Sequence, residues 1–159
     1  MKDSNHDNHN SNYTTFALML TASFVAMYIT MYLNTYAIDH VYFSLTRFYM
    51  TCLGISTMAV IMWFFMRKMY KNRKKNIAIL AGSLLLFISA LSLVRTQKPI
   101  VGDILWMKAM IPHHSIAILT SERANIEDPE AKQLAQDIIK AQEREIEQMK
   151  KMIRRLEER

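Results

Sequence analysis

Three apolar runs, each long enough to cross a membrane, decide what this chain can fold into. Residues 16–38, 48–66 and 77–94 contain no Asp, Glu, Lys or Arg. About 20 such residues in a helix cross the ~30 Å hydrocarbon layer. There the backbone must satisfy its own hydrogen bonds, so only helices and closed barrels are viable. With only three Gly and three Pro in 159 residues, the chain lacks the turn chemistry of a barrel. The expected fold class is therefore all-α, beginning with a three-helix transmembrane region over residues 15–98. Tyr28, Tyr32 and Tyr36 in the first run, and Trp63, Phe64 and Phe65 in the second, suit the interfacial belts.

Charge orients the spans. The net charge of +6 is unevenly spread. From Asp103 to Arg159 ten basic side chains meet eleven acidic ones, a net of −1, whereas residues 1–102 carry ten against three, a net of +7. The excess lies in Arg67, Lys68, Lys71, Arg73, Lys74 and Lys75, between the second and third spans. A short basic run between two apolar stretches reads as a topology signal rather than a nucleic-acid patch. That link belongs in the cytoplasm and the link of residues 39–47 belongs outside. The N-terminus is then cytoplasmic, and everything after Val94 is extracytoplasmic.

Residues 1–14 are polar and Asn-rich, which leads to the expectation of a disordered tail; His6 and His9, with Asp3 and Asp7, offer at most a loose metal site. The single cysteine, Cys52, lies in an apolar run, where a buried structural thiol is expected.

Residues 99–159 read as a helical hairpin. Asp103 suits an N-cap, and a helix from Ile104 to about Asn125 contains Pro112, expected to kink it. Asp128 as N-cap with Pro129 at the first helical position opens a second helix reaching about Leu156. The connection is short, so the two helices are antiparallel. The second has a wide apolar stripe, including Leu134, Ile138, Ile139, Ile146, Met149, Met152 and Ile153, which one partner helix covers only in part. Self-association into a four-helix bundle is therefore expected.

The chemistry concentrates in Trp106–His114. Met107, Met110 and His114 recur at i, i+3 and i+7 and share one helical face; His113 lies about 100° round. Across the hairpin, spacing places Gln142 and Glu145 on an apolar seam with Met149 and Met152, where a carboxylate is costly unless paired or metal-bound. Glu145 and Met149 are i and i+4, hence side by side. Thioether with imidazole suits copper: Cu(I) through the methionines, Cu(II) through imidazole and carboxylate, with zinc and iron less suited. The candidate metal residues are Met107, Met110, His113, His114, Glu145, Met149 and Met152.

The segments Met110-Ile-Pro-His-His114 and Gln142-x-x-Glu145-Ile-x-x-Met149 resemble the signature of the bacterial family labelled domain of unknown function 305, over about residues 103–156. The resemblance implies a ferritin-like hairpin, copper binding in support of copper resistance, and a periplasmic site, so that the spans would lie in a bacterial inner membrane. It carries to Met110, His113, His114, Glu145 and Met149, with Met107 and Met152 as helpers. The chain departs at Ser115 and Leu119, where the family often carries Gln and Met. Copper storage, buffering or handover is the first reading. A ferritin-like metal oxidase is weaker because no Glu-x-x-His motif occurs. A membrane assembly protein without metal leaves Glu145 and the histidine pair without a role.

Overall fold

A computed structural model describes the backbone of residues 4–158 and the side chains from Asn12 to Glu158. The described residues form five α-helices: α1 Ser4–Thr30, α2 Leu45–Met66, α3 Arg73–Thr96, α4 Asp103–Arg123 and α5 Pro129–Glu157, with a 3-10 turn at Ile38–His40. The all-α expectation holds. Contacts divide the chain into two compact units: α1 to Ile29 with Phe48–Gln97, and Thr30–Arg47 with Lys98–Arg159.

In the first unit, three stretches are long and apolar enough to span a membrane: Asn12–Thr30, Leu45–Met66 and Arg73–Thr96. Their apolar side chains face outward all round; Leu18 is 64% and Leu85 is 68% exposed. Such surface is untenable in water and ordinary in lipid. The internal core is small: Phe16, Ala59 and Tyr70, flanked by Tyr13, Met62, Trp63 and Ile79. Gly54 permits a close approach, since a Cβ there would lie 2.9 Å from the Met27 sulfur. Cys52 is buried in α2, as expected.

Both ends of α1 differ from expectation. The helix begins at Ser4, inside the stretch expected to be a disordered tail. Once an apolar helix exists, each added residue gains a backbone bond without a new nucleation cost, so helix propagates into poor helix formers. The side chains of His6 and His9 lie outside the described residues. At the other end α1 stops at Thr30 rather than Ile38. Residues 31–44 leave the helix and bond to the second unit's hairpin.

That hairpin is α4 against α5. The N-cap of α4 is Gly102, not Asp103, and it makes no side-chain capping bond. Asp103 instead occupies the first turn, where a carboxylate complements the helix dipole. The α5 start is as expected: Asp128 Oδ1 accepts the Ala131 N–H at 2.8 Å, with Pro129 in the first turn. The core between the helices is Met107, Ile111, Ile118, Ile146, Met149 and Ile153. Helix α4 continues unbroken through Pro112, so the anticipated disruption leaves the helix assignment intact.

Candidate metal centre

The hairpin's register sets the site. Lys108 Nζ lies 2.6 Å from Glu157 Oε1 at one end, and His114 Nδ1 lies 3.1 Å from Glu145 Oε2 further along. The Met107–His114 segment thus faces the later half of α5, as antiparallel pairing requires. Lys108 takes Glu157 as its partner, which leaves Glu145 to His114.

The seven candidates fall into three environments. Met107 and Met149 are buried core residues, and Met110 and Met152 pack against the same cluster, so all four methionines belong to the hairpin's core. His114 and Glu145 meet nearer the surface, with side-chain exposures of 16% and 42%. Glu145 is therefore not the buried seam carboxylate that 4-3-4-3 spacing suggests. The seam runs through Ile139, Ile146, Met149 and Ile153, and Glu145 stands on its shoulder. His113 is exposed; its ring centroid lies 6.3 Å from that of His114 at an interplanar angle of 60°. With metal–nitrogen bonds of about 2.0 Å, that separation is near the outer limit for two rings sharing an ion.

His114 Nδ1 is the unusual atom. It is out of solvent contact and, despite the 3.1 Å approach of Glu145, has no aligned hydrogen-bond partner. A buried ring nitrogen left this way is costly in a purely structural role. Burial holds the His114 pKa below its ordinary value, opposed by the Glu145 charge and assisted by His113. The favoured form is neutral imidazole, the form that ligates metals. Among the described residues no three of His, Cys, Asp and Glu converge. Within one chain, a metal here would have to draw on the thioethers as well as on His114 and Glu145.

Sequence reasoning missed a second group of residues entirely. The segment 30–47 straps itself onto the hairpin. The Tyr36 N–H donates to Ser115 Oγ at 2.8 Å, and His40 Nδ1 lies 3.0 Å from the same oxygen. Ser115, fully buried, is one of the two positions at which the chain departs from the resemblance noted above. Lys150, buried on α5, donates to Asp39 Oδ2 at 2.6 Å, with Glu147 at 3.6 Å. Arg47 reaches the Pro112 carbonyl at 3.4 Å, bonds the Met31 carbonyl and stacks 4.4 Å from the Tyr32 ring centroid. Tyr42 packs against the hairpin core, and the Glu122 carboxylate beside the Tyr36 hydroxyl raises its pKa. The only local signal for any of this was a buried-stripe position occupied by a lysine, Lys150.

Comparison with known proteins adds lineage. The family described as Domain of unknown function (DUF305) matches residues 90–153. A protein of Acanthamoeba polyphaga mimivirus, Uncharacterized protein L153, is 34% identical over 146 residues, covering 89% of this chain and 93% of that protein. The likeness therefore extends over spans and hairpin together. No solved structure matches.

Proposed function

The chain belongs to the family described as Domain of unknown function (DUF305), and on that premise we propose that it is an integral membrane protein whose hairpin binds copper outside the cytoplasm. Its role would be storage, buffering or handover of the ion. The observation that carries this reading is His114 Nδ1, buried without an aligned hydrogen bond, beside Glu145, on a hairpin whose core cluster holds four methionines. His114 and Glu145 would hold the ion together with Met110 and Met149, with Met107 and Met152 behind them and His113 at the solvent side. This donor set favours copper over zinc or iron because thioethers are soft ligands. Bound copper would supply a reversible soft-metal site. The chain's part is to keep the imidazole neutral, shield it from water and position the carboxylate.

Charge supports the extracytoplasmic side, and the fold supports the three-span topology that it is read through. The six cations of residues 67–75 favour the cytoplasm for the α2–α3 link. A three-span chain then puts the α1–α2 link and the segment after α3 on the same side, and these two segments fold as one unit. The relative that matches most of the chain is viral, so this reading commits to a side of the membrane and not to a bacterial inner membrane.

A second copy of the chain is the proposed partner of the hairpin. Leu134 is 61% and Trp106 is 50% exposed, and Ile138 is half-buried. Leu134, Ile138 and Glu145 recur at i, i+4 and i+11 along one side of α5. Copy-to-copy packing would cover this face.

The test is metal analysis of the full-length protein purified from copper-supplemented cells, beside His113→Ala/His114→Ala. Copper retained in proportion to the native protein, and lost from the double variant, supports the proposal. Equal copper in both contradicts it.

A further inference from the structure

In the hairpin, α5 carries two heptad seams, and α4 covers one of them. The covered seam, through Ile139, Ile146, Met149 and Ile153, forms the core with α4. Offset from it by one residue run Leu134, Ile138, Ala141 and Glu145, spaced 4-3-4. Leu134 is 61% exposed, Ile138 and Ala141 are half-buried, and the Glu145 side chain is 42% exposed. The strap binds elsewhere on the helix: Lys150, the partner of Asp39, is turned about 160° round α5 from Leu134. A heptad seam with an open side is half of a helix–helix contact.

A column of charge borders the open seam. Glu130, Asp137, Arg144 and Lys151 stand seven residues apart, all exposed, two acids followed by two bases. Among the described residues Glu130, Arg144 and Lys151 form no ion pair, and Asp137 accepts Gln133 Nε2 of its own helix at 3.1 Å. Reversed end for end, such a column is its own complement. Against an antiparallel second α5, Glu130 meets the partner's Lys151 and Asp137 meets the partner's Arg144, and the two-fold axis repeats both pairs. The same alignment sets Ile138 against the partner's Ala141 and Leu134 against the partner's Glu145. Sliding one heptad either way brings the two Arg144 or the two Asp137 face to face. A parallel pairing turns the column towards Ala135, Gln142 and Met149, which carry no charge, and sets Glu145 against Glu145.

We propose that two copies of the chain pair antiparallel through this seam, with Leu134 of each copy covering Glu145 of the other. The second copy thereby finishes the candidate metal centre, because an apolar side chain from the partner closes the exposed edge of the His114–Glu145 pair. The inference deepens the copy-to-copy contact proposed above and rests on that reading; the pairing itself needs no copper.

Disulfide trapping of the full-length chain in membranes reads the orientation. Over Cys52→Ser, one tagged copy carries Leu134→Cys and a differently tagged copy carries Glu145→Cys. Antiparallel pairing gives the mixed disulfide and neither homodimer, since like positions then lie about 16 Å apart along the axis. Both homodimers without the mixed product, or no crosslink at all, overturns the proposal. Charge reversal reads the register in detergent, where resonance energy transfer between labelled copies follows dissociation. Asp137→Arg weakens the dimer about tenfold, and so does Arg144→Asp. Asp137→Arg/Arg144→Asp brings it back to within about threefold of native, because the exchanged column is again its own complement. A double variant as weak as the singles, or singles as tight as the native protein, overturns the register. Copper content of the native protein separates the two readings. A monomer that holds copper removes the seam and leaves the metal centre, whereas a trapped dimer that holds none keeps the seam and removes the copper.

Discussion

His40 Nδ1 lies 3.0 Å from Ser115 Oγ across 75 positions of sequence, joining the α1–α2 link to the residue that follows the histidine pair. The same Ser115 oxygen accepts the Tyr36 N–H, which leaves its own proton for a neutral His40. Two residues of the strap thus depend on one fully buried hydroxyl beside the candidate metal centre.

Ser115→Ala removes both bonds and leaves a backbone N–H and a ring nitrogen without their partner. The expected loss is about 1–3 kcal/mol of strap docking. Hydrogen exchange of the amides of residues 34–42 should speed up while those of residues 146–153 stay protected. Unchanged exchange at Tyr36 would show that the strap is held by other contacts.

The ion pair Lys150–Asp39 is asymmetric, with side-chain exposures of 9% and 68%. Removing the exposed partner strands a buried ammonium with only Glu147 at 3.6 Å, whereas removing the buried one leaves a carboxylate in water. Asp39→Asn should therefore destabilise by about 1–2 kcal/mol more than Lys150→Met, although both break the same pair. Thermal unfolding of the two variants side by side measures the difference; equal losses would contradict it.

Acid should release the strap in two stages. Burial, with the Lys150 charge second, holds the His40 pKa below its ordinary value, so folding favours the neutral ring. That contribution is present above about pH 6.5 and is lost as pH falls through the folded value. The Lys150 hydrogen bond holds Asp39 below the usual carboxylate range. Its contribution is present above about pH 4 and is lost at still lower pH. Strap exchange rates measured from pH 7 to pH 3 should show the first stage in native protein and in Asp39→Asn, and the second only in native protein.

Met107→Leu/Met149→Leu separates packing from ligation. The swap nearly conserves volume, so the unfolding temperature should move little, with a cost under about 1.5 kcal/mol per site. Cu(I) affinity should fall at least tenfold. A variant with native Cu(I) affinity would reduce both methionines to core packing.

What could be read from the sequence follows the range of the forces involved. The spans were legible because hydropathy accumulates over 20 residues, and the α5 start because Asp128 and Pro129 act within one turn. The end of α1 was not legible: residues 31–38 continue the uncharged run, although Asn34 and Thr35 make them less apolar, and they leave the helix to bond Ser115, far along the chain. Glu145 fell on the expected seam because a wide stripe fits more than one spacing; Ile139 and Ile146 take the buried positions instead. The histidine pair, the carboxylate and the methionines were legible as residue types. That Lys108 would take Glu157 and free Glu145 for His114 depended on a register only the folded hairpin supplies.

The most direct measurement is a Cu(I) titration of purified full-length protein against a chromogenic chelator, repeated with His114→Ala and Glu145→Ala. If the hairpin holds copper, the native chain withdraws Cu(I) from the chelator at a fixed stoichiometry. His114→Ala then weakens binding at least tenfold, and Glu145→Ala weakens it less. Failure of the native protein to compete, or competition unaltered by His114→Ala, would contradict a copper site at this place.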